Sequence, residues 1–136
     1  MKFGIGQIQL MNALDDIAKV RAKDCFLQGK DVVFVIPSDQ MSRAIGKKGA
    51  TIELLKKRLG KRIELFEHSD DPQKFFEKAF NAKMEKIEVR ENDDHKIVII
   101  SADGTNKRII LQNMGRLKKI KEIAKRNYKI EEVRIR

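Results

Sequence analysis

The chain has 136 residues, 41% of them hydrophobic, and a formal net charge of +10. That length fits one ordinary domain or two very small ones, and the apolar share excludes a disordered chain. No run approaches the roughly 20 apolar residues of a membrane span, and the single cysteine, Cys25, excludes an internal disulfide. The charge points to a polyanionic partner or to a solvated Lys/Glu surface. Met1 to Leu10 lacks a long apolar run after a basic start, so the protein is expected to be cytoplasmic, without a signal peptide. Cys25 reads as a small apolar strand residue. His68 and His95 read as surface residues outside any metal-ligand spacing, so neither metal nor cofactor is expected.

A shift of 65 residues superimposes the chain on itself. Asp31–Ile36 falls on Lys96–Ser101, each an apolar run of strand length. Ser42–Ile45 falls on Lys107–Ile110, and Ile52, Leu55 and Leu59 fall on Leu117, Ile120 and Ala124. We therefore read two copies of one unit, residues 1–69 and 70–136. In the first, Gly6 to Ile17 is a helix with Leu10, Met11, Leu14 and Ile17 inward. Val20 to Leu27 is a polar strand, Gln28-Gly29-Lys30 a turn, and Val32 to Ile36 a buried strand. A short helix covers Asp39 to Ile45, and a longer one runs from Ala50 to Leu59. Gly60 stops that helix, and Arg62 to Glu67 is the last strand.

The second copy opens with Asp71 as N-cap and Pro72 in the first turn of a helix that ends at Phe80. Strand Glu85 to Glu91, turn Asn92-Asp93-Asp94 and strand Lys96 to Ser101 follow. Helices Thr105 to Leu111 and Gly115 to Arg126 and strand Lys129 to Ile135 complete it. The fold class is α+β, with each copy a three-stranded sheet packed on three helices.

Between the two later helices of the first copy lies Gly46-Lys47-Lys48-Gly49. Glycines at its ends let a sugar-phosphate backbone approach without a Cβ in the way. Gly49 opens a helix whose amide groups and positive dipole end favour phosphate. Lys47 and Lys48 add charge, and Ile45 offers an apolar surface to a base. This is the G-x-x-G pattern of KH modules, which bind single-stranded RNA. A nucleotide-hydrolysing P-loop needs a longer span directly after a strand, so it is rejected. In the second copy, Leu111 and Met114 stand where the 65-residue shift would put the two glycines. That half is nonetheless basic: from Gly104 to Arg136, eleven Lys/Arg face three Glu. Such uncompensated charge suits an electrostatic track for RNA.

Ala44–Gly49, then Leu59-Gly60-Lys61-Arg62-Ile63-Glu64, then Glu67-His68-Ser69-Asp70-Asp71-Pro72 resemble the archaeal NusA-related transcription factors. Val20–Cys25 and Glu122–Arg126 fit the same family. The resemblance covers essentially the whole chain and implies two tandem type II KH domains. It implies a non-catalytic factor in transcription termination or antitermination. The implied partner is single-stranded RNA of the nascent transcript, with RNA polymerase as a second. Loop and basic half together give the expected RNA contacts: Arg43, Ile45, Gly46, Lys47, Lys48, Gly49, Lys56, Arg108, Arg116, Lys118 and Lys119. Two other readings are a ribosome-associated KH protein and a protein-interaction module that docks through the second copy. No nucleophile–base pair or paired-carboxylate pattern suggests an enzyme.

Overall fold

Gly60 and Pro72 punctuate the chain where helices stop and start, and the computed structural model, which describes residues 5–136, follows that punctuation. It divides into two units, Met1–Ser69 and Asp70–Arg136. Each has the order helix, strand, strand, helix, helix, strand.

In the first unit, α1 (Ile5–Ala18) leads into strands β1 (Asp24–Gln28) and β2 (Asp31–Ile36). These two pair antiparallel through a turn in which Gly29 takes φ +62°. A 3-10 turn at Ser38–Gln40, then α2 (Met41–Ile45) and α3 (Ala50–Leu59), carry the chain to β3 (Arg62–Glu67). β3 pairs parallel to β2, with Asp31 opposite Arg62, and Arg62 Nε donates to Asp31 Oδ1 over 2.9 Å. The period of two along β2 sends Val32, Phe34 and Ile36 to one face. There they join Leu14, Ala44, Leu55 and Ile63 in the core, with Leu10, Met11, Ile17, Ile52 and Leu59 packed half-buried around them. Cys25 is buried in β1.

Two expectations need correction here. β1 begins at Asp24, not Val20. Val20 is fully buried, but it enters the core from the connection that follows Lys19, whose φ of +56° turns the chain out of α1. Its apolarity reflects packing rather than strand pairing. His68 is half-buried rather than a surface residue, because its backbone N–H extends the β2–β3 ladder by donating to Ile36 O at 2.7 Å.

In the second unit, Asp71 caps α4 (Pro72–Phe80) by accepting from Gln73 N at 3.0 Å. Phe75, Phe76, Ala79 and Phe80 form its buried stripe. Strands β4 (Lys86–Asn92) and β5 (His95–Ser101) pair antiparallel. Asp93 and Asp94 both take positive φ at their turn, as a tight hairpin of this twist requires. Helices α5 (Gly104–Gln112) and α6 (Met114–Tyr128) then lead to β6 (Ile130–Ile135), parallel to β5. α6 exceeds α3 by about one turn, and the added Tyr128 ring lies 5.3 Å from that of Phe75. Where Gly60 ends α3 in the left-handed region, Lys129 ends α6. The two units thus share the type II KH arrangement. No helix among the described residues is long and apolar enough to cross a membrane.

Adjacent leucines test this placement. Leu55 is fully buried, whereas Leu54 is 56% exposed. Leu55→Ala is expected to destabilise the protein by about 2–5 kcal/mol in urea unfolding, and Leu54→Ala by less than about 0.5 kcal/mol.

Candidate nucleic-acid interface

The loop of interest sits inside the crossover between two parallel strands. α2 is one and a half turns long. Ala44 faces the core and is fully buried, so Ile45, one residue on, is turned outward and is 39% exposed. Gly46 N donates to Ser42 O at 2.9 Å and closes α2. Gly46 itself takes φ +78°, ψ +170°, a region essentially restricted to glycine. A Cβ there would overlap the Thr51 side-chain hydroxyl and come within 2.7 Å of the Thr51 backbone nitrogen. The loop backbone is therefore pressed against the first turn of α3, and Thr51 fills the room a side chain at 46 would take.

From Gly46 the chain makes a 3-10 turn, Lys47–Gly49, in which Gly49 N donates to Gly46 O at 3.1 Å. Lys48 and Gly49 are both left-handed, at φ +56° and +76°. Lysine also fills left-handed positions at Lys19 and Lys129, so conformation alone does not single out Lys48. Its setting does: Lys47 and Lys48 are both exposed, between two glycines. Gly49 is the N-cap of α3 and supplies no side chain to cap it. The first turn of α3 thus presents its positive end beside two ammonium groups. Arg43 is exposed in the last turn of α2. Lys56 is one turn farther along α3 and pairs with Glu53 at 3.2 Å. That pair is solvent-exposed and worth little, so it yields readily to a stronger anion. Leu54 was not among the expected contacts. It stands exposed one turn into α3, as Ile45 does before the loop. The sequence held a signal for it, since only one of the neighbours Leu54 and Leu55 can face the core.

The corresponding region of the second unit is built differently. Fractional exposure is 0% and 39% at Ala44 and Ile45, but 45%, 3% and 39% at Ile109, Ile110 and Leu111. Burial therefore matches Ala44 with Ile110 and Ile45 with Leu111, one residue beyond the ungapped 65-residue shift. Along α3 and α6 the shift holds, with Leu55 and Ile120 both fully buried. The second unit is one residue shorter between them. The four residues Gly46–Gly49 that separate α2 from α3 are reduced to Asn113 between α5 and α6. Asn113 caps α6, its Oδ1 accepting from Arg116 N at 3.0 Å.

The basic residues of this half are not one set. Arg108 and Lys118 are exposed. Arg116 is half-buried, its Nε donating to Ala79 O at 2.8 Å, where it satisfies a carbonyl at the end of α4. Lys119 is only 7% exposed. It lies one turn before Ile123, on the covered side of α6, and so is drawn inside rather than displayed. On α5, Asp103 caps the helix by accepting from Asn106 N at 2.8 Å, and this bond holds its carboxyl below the usual range. Among the described residues, no group of three His, Cys, Asp or Glu side chains could hold a metal ion.

Comparison with known proteins agrees with this geometry. Residues 10–70 match the KH domain family, a span that contains the whole of α2, the glycine loop and α3. The chain is similar to NusA-related KH proteins. It is 28% identical over 138 residues to a Halobacterium salinarum protein named probable transcription termination protein NusA, covering 93% of this chain and 92% of that one. A Methanocaldococcus jannaschii protein of the same name is 25% identical over 131 residues, covering 95% of this chain and 72% of the relative. The crystal structure of APE1850 superimposes with a TM-score of 0.91 at 28% identity, over 98% of this chain and all of that one. The chain carries the glycine-bounded loop in its first unit and a shortened, capped version in its second.

Alanine separates the two loop glycines. Gly46→Ala is expected to lower stability by more than about 3 kcal/mol, since steric overlap adds to backbone strain. Gly49→Ala, whose Cβ meets nothing closer than Ile52 Cγ2 at 3.8 Å, is expected to cost about 1–2 kcal/mol. Urea unfolding of the two variants measures the difference.

Proposed function

We propose that this protein is a single-stranded RNA-binding factor acting in transcription termination or antitermination, without catalysis of its own. The observation that carries the reading is the Gly46–Gly49 loop. Its backbone, bounded by two glycines and carrying exposed Lys47 and Lys48, leads into the start of a helix with no side-chain cap. A phosphate at that point meets amide groups, the positive helix end and two ammonium groups together. Ile45 on one side and Leu54 on the other give apolar surface for bases, and Arg43 extends the charge. Lys56 joins once released from Glu53. Single-stranded RNA is the polyanion that can splay its bases against such a surface. The relatives' names support the transcriptional setting, in which the nascent transcript is the RNA and RNA polymerase the neighbouring machine.

Asparagine at both lysines tests this without disturbing the loop, because asparagine tolerates the left-handed backbone at position 48. Lys47→Asn/Lys48→Asn is expected to weaken binding of a single-stranded oligonucleotide about tenfold at low salt. The slope of log K against log salt should fall by about 1.4, or 0.7 for each lysine lost. Fluorescence anisotropy across a salt series reads both quantities. An unchanged slope would contradict the assignment.

A further inference from the structure

We infer that the α5–α6 turn of the second unit is a docking surface for an acidic, apolar-bearing segment of a protein partner, not a second RNA clamp. The reasoning needs only this unit and does not rest on the RNA reading of the first.

Three features remove what a phosphate would use. Neither position flanking the turn is glycine. The four-residue loop is reduced to Asn113. The first-turn amide of Arg116 is already bonded to Asn113 Oδ1 at 3.0 Å. The chain has supplied its own oxygen where the first unit leaves an uncapped helix end.

Three features add what a protein segment would use. Leu111 and Met114 remain 39% and 53% exposed on either side of the turn. Arg108 precedes Leu111 by three residues, and Lys118 follows Met114 by four, so each apolar side chain shares its helix face with an exposed cation. Lys121 and Lys125, also exposed, continue that row along α6. An apolar spot bordered by exposed positive charge is complementary to a helix or strand that alternates leucine-like side chains with Asp or Glu. RNA would satisfy the cations but leave Leu111 and Met114 facing a phosphate backbone with no amide to receive it.

The test uses the full chain and two probes: a synthetic amphipathic peptide with Leu on one face and Glu on the others, and oligouridine. Met114→Asp and Leu111→Ser are the variants. An acid at position 114 falls in the first turn of α6, where the helix end favours it, and circular dichroism checks the fold of both. The peptide is expected to bind the wild type and to lose at least about tenfold in affinity with each variant. A control peptide with its Leu residues replaced by Ser should bind about as poorly, and oligouridine binding should stay unchanged. The proposal is overturned if the peptide does not bind the wild type, if it binds the variants equally well, or if oligouridine is the ligand that Met114→Asp releases.

Discussion

β2 and β3 run parallel, and parallel neighbours cannot be joined by a tight turn. The chain must leave one end of the sheet, cross its face and return to the other end. In this protein the crossing is made by two helices, and the Gly46–Gly49 loop is the joint between them. Everything proposed about the first unit follows from that placement. Ala44 and Leu55, one on each side of the joint, are both fully buried, so the loop is held at both ends by core packing. Its own backbone is then fixed by contact with Thr51 rather than by hydrogen bonds to a distant element. A site that must meet a phosphate at hydrogen-bond distance gains from being pinned in this way before its ligand arrives.

The two units show how little needs to change to alter what such a joint offers. Both keep the sheet order, the parallel third strand and the buried helix face. The joint of the second unit is one residue shorter and has Asn113 in capping position. An outward-facing helix end thereby becomes a closed one. A polar side chain bonds a first-turn amide of α6, whereas no side chain caps α3. The shorter joint leaves Leu111, the counterpart of Ile45, exposed beside a capped turn. The family match covers residues 10–70, and structural similarity extends across the chain.

Much of this was legible from the residues, and the reasons are local. α3 and β3 have the bounds their punctuation implies, because Gly49 and Gly60 both adopt left-handed conformations that end regular structure. α4 begins where Asp71-Pro72 directs it. Other features depend on which side of an element a residue faces, and there the sequence was ambiguous. Ile109-Ile110-Leu111 offers three apolar residues in a row, so either of two registers buries one of them. Only the packed helix shows that Ile110 goes in. Arg116 and Lys119 have the same formal charge as Arg108 and Lys118. Their burial comes from their angular position on α6 and, for Arg116, from a carbonyl of α4 thirty-seven residues earlier. Charge counts along a segment do not carry that angular information.

The central claim is that RNA meets this chain at the joint between α2 and α3. Backbone amide chemical shifts, followed residue by residue while a short single-stranded RNA is added to the isotope-labelled protein, address it most directly. The account predicts that the largest shifts fall on residues 45–51, with smaller ones along the exposed face of α3 and little change at residues 111–116. Shifts concentrated instead on α6, with residues 45–51 unmoved, would contradict it.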